Sequence, residues 1–362
     1  MFYQIFSQAG QQKRMSMNFL VCIRCFTYNQ ASYIIETFEG FVKQKTSFPY
    51  VVMVVDDAST DGEQQIIAEY VRSKFDTDSP SARHTETDDA VIDFIQHKQN
   101  RNCYFAVYYL KYNHYRKKKK MPYLKEWREN SLFEAICEGD DFWTDPYKLQ
   151  IQADFLTNNP DFSFCCHRYD IFQQDTGLWL KEYAYNYYMP EKDLLITPEL
   201  YSRVWVTQPL TLMCRRETID KIEVDLKQYK YRRDLHMFYH LLKVGKGVSL
   251  NRNMGVYRWH RGGISSSKKG VERYQTDYLI NKEFYSVTKD PVLCRRYIYS
   301  VIHLIRFDKF SFHSISLCKE IWGITSFREK INMILSLMTP LRVIKFMTER
   351  YSQKHLDKIQ LN

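Results

Sequence analysis

Val54-Val55-Asp56-Asp57-Ala58-Ser59-Thr60-Asp61-Gly62 is the stretch whose reading decides the fold. Just before the acidic turn, Tyr50 to Val55 is continuously apolar, as a strand buried on both faces must be. After it, Ile66, Ile67, Tyr70 and Val71 recur at helical spacing. Upstream the pattern repeats: Phe19 to Phe26 is a short apolar run, Thr27-Tyr28-Asn29-Gln30 a polar loop, and Ile34, Ile35, Phe38, Phe41 and Val42 a helix face. Two such units in series imply a parallel sheet with helices packed on it.

Further along, Phe75 to Gln99 is polar and shows no period, so a loop or insertion of low order is expected there. Cys103 to Leu110 reads as a third strand and Ser131 to Cys137 as a fourth, which leads into Glu138-Gly139-Asp140-Asp141. Asp145-Pro146 is expected to open a helix whose inner face is Leu149, Ala153 and Leu156. From Asp161 to Ile264, short strand-like runs alternate with one helix, Asp234 to Val244, and close on Tyr257-Arg258-Trp259-His260-Arg261-Gly262-Gly263. Beyond about residue 280 only long amphipathic segments remain. The expected organisation is a disordered extension over 1–17, an α/β domain over 18–280 with a mostly parallel, Rossmann-like sheet, and a basic helical extension over 281–362.

Composition narrows the function classes. A chain of 362 residues buries a core without staples, and its nine cysteines mostly lie in apolar, strand-like runs, which points to a reducing cytosol. Cys22 and Cys25 sit three apart in a strand, so they point to opposite faces and form neither a redox pair nor a shared metal site. Met1 to Arg14 lacks the apolar core of a signal peptide, which again places the chain in the cytoplasm. The net charge of +10 is concentrated in Lys111 to Lys125 and in Tyr285 to Asn362, each at +7, leaving the remainder at −4. A body-wide basic field of the kind nucleic-acid binders carry is therefore absent, and two local anionic partners are implied instead.

Acidic residues just beyond successive parallel strands lie where an open α/β sheet binds its ligand. One such Asp is most often a helix cap, but here acidic clusters follow the strands ending at Val55 and Cys137. In order and spacing the chain resembles the GT-A fold glycosyltransferases of family 2, over about Phe19 to Gly263. Cys25-Phe26-Thr27-Tyr28-Asn29 stands where the family has Pro-Thr-Tyr-Asn, with Phe26 in place of the usual Pro. The quoted acidic stretch is similar to the family's Val-Asp-Asp-x-Ser-x-Asp-Gly. Glu138-Gly139-Asp140-Asp141-Phe142-Trp143-Thr144-Asp145-Pro146 resembles its metal and donor motif in the form common among bacterial surface-polysaccharide enzymes.

The resemblance implies an inverting, metal-dependent transfer of a sugar from a nucleotide donor to a glycan or lipid-linked acceptor. Tyr28 and Asp57 would meet the base, Phe26 would contribute backbone, and Asp140 would meet the ribose. Asp141 would hold Mg²⁺ or Mn²⁺ with His260 as second ligand, since a departing nucleoside diphosphate develops charge that a hard cation neutralises. Arg261, with Gly262 and Gly263, would form a lid carrying a cation for the phosphates. Asp234, at the start of a late helix, would be the base that deprotonates the acceptor hydroxyl, although a carboxylate there also suits a cap. The run Arg116 to Lys120 would face pyrophosphate or an acidic acceptor, or else be a solvated loop. The tail, with Ile331 to Met347 flanked by Lys330, Arg342 and Lys345, is expected either to lie on the inner face of the cell membrane or to pack on the protein. Two rivals remain at this point, a nucleotidyltransferase and a non-enzymatic basic binding module. The loop after the first strand lacks the glycines the former needs.

Overall fold

The computed structural model describes residues 19–117, 124–181, 192–203, 207–263, 270–307, 312–325, 330–331 and 334. The first two units fold as their sequence dictates: β1 (Phe19–Thr27), α1 (Ile34–Val42), β2 (Tyr50–Asp56) and α2 (Glu63–Lys74). All seven residues of β2 are buried, because the strand lies mid-sheet with helices on both faces. At roughly 1.5–3 kcal/mol for each large apolar side chain, this strand is among the chief stabilisers of the core. Cys22 and Cys25 fall into different core clusters on the two faces of β1.

Next come β3 (Phe75–Asp76), β4 (Arg83–Glu86), β5 (Ala90–His97), β6 (Cys103–Leu110), α3 (Leu124–Glu129), β7 (Ser131–Ile136), β8 (Phe142–Trp143) and α4 (Lys148–Asn158). The segment read as a loop of low order, 75–99, is instead strand-bearing. β5 pairs antiparallel with β6 from Ala90↔Leu110 to Gln96↔Tyr104 and extends the sheet. Its Phe94 and Ile95 are buried, while Asp93 faces His84 of β4 across the hairpin. The polar residues are those of a one-sided edge, which dilutes the apolar signal. The helix expected from Asp145-Pro146 begins at Lys148, and Asp145 instead accepts the Tyr147 N–H and pairs with Arg252.

The second half contains β9 (Phe162–Gln173), β10 (Leu178–Leu180), β11 (Leu194–Ile196), α5 (Pro198–Arg203), β12 (Met213–Arg215), α6 (Arg216–Leu226), α7 (Asp234–Val244) and β13 (Lys246–Trp259). Then α8 (Val271–Thr288), α9 (Pro291–Phe307) and α10 (Phe312–Trp322) follow without strands. α8 runs through residue 280, so the expected boundary falls inside a helix, and Phe284 packs into the same core as α6 and α7. The extension over 1–17 and all of 335–362 lie outside the described residues.

The strands form one sheet in the order β11-β13-β9-β12-β7-β1-β2-β6-β5-β3. β7, β1, β2 and β6 are mutually parallel, and β12 runs against them between β7 and β9, as β5 does beyond β6. β13 lies parallel to β9 and therefore to β7. The carboxyl ends of β1, β2, β7 and β13 thus share one edge. Chain order turns back at β1, which has β2 on one side and β7 on the other, and a crevice opens at such a switch point.

Candidate active site

Three loops leave that edge and are tied together by their own backbone. Asp57 N–H donates to Thr27 O at 3.0 Å, and Gly139 N–H donates to Phe26 O at 3.0 Å. Asn29 and Ala58, at the tips of the first two loops, hold φ of 55° and 60°, a region non-glycine residues rarely enter. Asn29 is held there by its side-chain Oδ1, which accepts the Thr60 N–H at 2.8 Å. Gly62, at φ 90°, makes the left-handed turn into α2.

Asp57 is nearly buried, and its carboxylate accepts the N–H groups of His114 (2.6 Å) and Tyr115 (3.1 Å). It therefore anchors the loop after β6, which brings the Arg116 guanidinium over the Tyr28 ring at 5.9 Å from its centroid. Of the basic run, Lys118 to Lys120 lie outside the described residues.

The third loop meets the end of β13. His260 Nε2 lies 3.0 Å from Asp140 Oδ2, and the Arg258 N–H donates to Asp141 Oδ1 at 2.8 Å. His260 is thus paired with Asp140, while Asp141 is held by the Arg258 backbone. Asp141 points inward at 4% exposure, and burial followed by the charge of Asp140 pushes its carboxyl well above the usual range, against the pull of the Arg258 N–H. Arg258, buried at 5%, also donates to Asp140 O at 2.9 Å and to the side chains of Gln174 and Glu36. It fastens the acidic loop to α1 and to β13. Arg261 is 86% exposed on its side chain and pairs with Asp175 at 2.9 Å.

Across the cleft, Asp234 is the first residue of α7, as its sequence implied. Among the described residues its carboxylate makes no hydrogen bond or ion pair, so it does not cap the helix. Its side chain is exposed, and the surrounding protein raises its pKa while Arg24, Arg233 and Arg232 oppose the rise. Glu138 shares this field: burial pushes its carboxyl up to about 8, with Arg24 lowering it and Asp140 and Asp234 raising it. Arg24 projects from mid-β1, pairs with the buried Glu134 at 3.4 Å and lies 5.4 Å from the Phe26 ring centroid.

Arg24, Glu138 and Arg258 stand outside the roles that the sequence implies. A charge inside an apolar strand was the available signal for Arg24; the other two stand in quoted motifs without an obvious partner.

The donor set suits a hard divalent cation. A carboxylate and an imidazole converge at 3.0 Å, beside two further carboxylates whose mutual repulsion a cation relieves. Among the described residues no group of three or more His, Cys, Asp and Glu side chains is placed to hold a metal ion. A cation here would take two protein ligands and draw the rest from phosphate and water, as Mg²⁺ commonly does.

Residues 23–120 match the model of glycosyl transferase family 2. Uncharacterized protein Rv1520 of Mycobacterium tuberculosis is 28% identical over 238 residues, 66% of this chain, and the same figures hold for Mb1547 of Mycobacterium bovis. The chain spans 58% of the length of these relatives. The fold is similar to that of S. aureus TarS 1-349 in complex with UDP-GlcNAc, with a TM-score of 0.50 and 16% identity over 93% of this chain and 88% of that one. It is also similar to the mannosyltransferase PcManGT from Pyrobaculum calidifontis in complex with GDP-Man and Mn²⁺, with a TM-score of 0.50 and 13% identity over 94% and 86%. The segment 23–120 is thus similar to family 2 glycosyltransferases, and the fold of the chain is of the GT-A kind.

Proposed function

We propose that this chain transfers a sugar, with inversion, from a nucleoside diphosphate donor to a hydroxyl of a glycan or lipid-linked acceptor in surface-polysaccharide synthesis. The observation that carries the reading is the carboxylate of Asp234, which has no hydrogen bond or ion pair among the described residues and whose charge acts on Glu138 of the acidic loop.

Tyr28 supplies a ring face for the base, and Arg116 closes over it. Asp57 acts on the base through the loop it anchors. Asp140 and His260 would hold Mg²⁺ or Mn²⁺, which when bound neutralises charge on the departing diphosphate. Asp141 keeps Arg258 and the end of β13 in place beneath them. Arg261, exposed next to Gly262, is placed to swing from Asp175 toward phosphate.

Asp234 takes the proton of the acceptor hydroxyl as its oxygen bonds to the anomeric carbon, and the bonding pair to the diphosphate oxygen leaves with the nucleotide. A raised pKa makes Asp234 a stronger base, and the charges of three arginines oppose the rise. Among the described residues no helix is long and apolar enough to cross a membrane. Ile315, Trp322, Ile324, Ile331 and Ile334 are exposed toward the end of the chain, and we assign this face to the membrane surface where lipid-linked acceptors reside.

Incubation of the chain with UDP-, GDP- and dTDP-sugars, Mn²⁺ and lipid-linked glycan, followed by NMR of the product, tests the reading. Nucleoside diphosphate and an inverted anomer are expected. Retention of configuration, or release of inorganic pyrophosphate from a sugar phosphate and a nucleoside triphosphate, overturns it.

A further inference from the structure

Glu63, the first residue of α2, is fully buried, and among the described residues it forms no ion pair. A buried carboxylate needs its oxygens satisfied. Oε2 accepts the Gln30 N–H at 2.8 Å and the Ser59 hydroxyl at 2.9 Å, and Ser59 Oγ in turn accepts the Asn29 N–H at 2.9 Å. Oε1 is hydrogen-bonded to the Thr27 hydroxyl, which also lies 2.8 Å from Gln30 Oε1. The same two side chains support the third loop. A Cβ added at Gly139 would come within 2.4 Å of Thr27 Oγ1 and 2.6 Å of Gln30 Oε1, so only glycine allows this approach.

The Thr27 hydroxyl carries one proton and faces two oxygens. Both contacts attract when Glu63 Oε1 carries a proton of its own and donates to Thr27, which then donates to Gln30; the alternative is an ionised Glu63 with the Gln30 amide reversed, so that its NH2 donates to Thr27. The charged groups around Glu63 favour the protonated form. Asp56 at the end of β2 and Asp61 in its own loop are acidic, and Cys25 of β1 shares the field of Glu63 with Glu138, Asp140 and Asp141. Burial, the largest influence, pushes the Glu63 carboxyl up, against the pull of Thr27, Gln30 and Ser59.

We propose that Glu63 is a positioning residue of the donor site, donor and acceptor of hydrogen bonds at once, which fastens the loops 27–31, 57–62 and 138–141 in one register. It touches no substrate. That these loops hold a nucleotide rests on the reading above; that Glu63 joins them does not.

The test compares the full-length wild type with Glu63→Gln, Glu63→Ala and Thr27→Val. Amide hydrogen exchange of the three loops is followed without ligand, and binding of UDP, GDP and dTDP is measured in Mg²⁺. Glutamine can donate to Thr27 and accept from Gln30 and Ser59, so Glu63→Gln should exchange within about twofold of wild type and keep its nucleotide affinity. Glu63→Ala and Thr27→Val should speed exchange in the loops by about tenfold or more and weaken binding in proportion, leaving β2 and β6 protected. Loss of protection in Glu63→Gln equal to that in Thr27→Val would mean that an ionised carboxylate is required, and overturns the proposal. Unchanged loops in Glu63→Ala or Thr27→Val overturn it as well. If the loops respond as expected but wild type binds none of the nucleotides, the clamp stands and the nucleotide reading falls.

Discussion

Nε2 of His260 lies 3.0 Å from Oδ2 of Asp140 across a sequence separation of 120 residues. The contact follows from strand direction: β13 runs parallel to β9 and β7, so its end arrives beside the loop that β7 delivers. A histidine just past a late strand and an aspartate just past an early one become neighbours through sheet topology alone.

Asp234→Asn should leave nucleotide affinity unchanged and lower kcat by about 10²–10⁴, since the amide keeps the shape and loses the proton acceptor. In wild type the acidic limb of the kcat profile should lie above the ordinary range of an aspartate, because burial raises this carboxyl. Steady-state kinetics across pH checks both. A rise in KM with kcat intact would make Asp234 a binding residue.

Asp141→Ala should cost stability as well as function. Removing this buried carboxylate orphans the Arg258 N–H and leaves a void, at about 1–3 kcal/mol. Urea denaturation reads the loss. Asp140→Ala, at a half-buried position, should unfold close to wild type, which separates a supporting carboxylate from a ligand.

How far the sequence discloses all this depends on locality. β2 and the helix Asp234–Val244 are legible because their burial follows from neighbours a few residues away. The strand Ala90–His97 is not, since its apolar residues are interrupted by Asp93 and Gln96, whose partners His84 and Tyr104 lie on neighbouring strands. At the site, the acidic loops announce themselves by spacing. The inward turn of Asp141 does not, because it depends on Arg258 arriving from β13, 117 residues on.

Lys148 offers a pH-dependent prediction. Its side chain is wholly buried, with Nζ 2.6 Å from Gln152 Oε1 and 3.8 Å from the Trp143 ring centroid, and burial pushes its pKa down to about 7. The unfolded chain then binds the extra proton between about pH 7 and 10.5, so the cost of burying this lysine shrinks as pH rises. Relative to Lys148→Met, wild type should gain about 2 kcal/mol of stability between pH 7 and 9 in urea titrations. A constant difference would mean that Lys148 stays charged.

The exposed face of the last described helix is expected to engage anionic lipid. Wild type should pellet with phosphatidylserine vesicles at low salt and be released as salt rises, with each nearby Lys or Arg worth about 1 kcal/mol. Ile315→Glu with Trp322→Glu, both at exposed positions, should stay in solution without loss of fold. Equal pelleting of the two proteins would place the lipid contact elsewhere, and no pelleting of either would remove it.

The central claim is that the crevice at the ends of β1, β2 and β7 binds a nucleoside diphosphate through a cation held by Asp140 and His260. Calorimetric titration of wild type, Asp140→Asn and His260→Ala with UDP, GDP and dTDP, in Mn²⁺ and in EDTA, tests it most directly. One of the three should bind wild type in Mn²⁺, and bind about tenfold or more weakly in EDTA and in either variant. Binding that is indifferent to metal and to both substitutions, or no binding of any of the three to wild type, would contradict it.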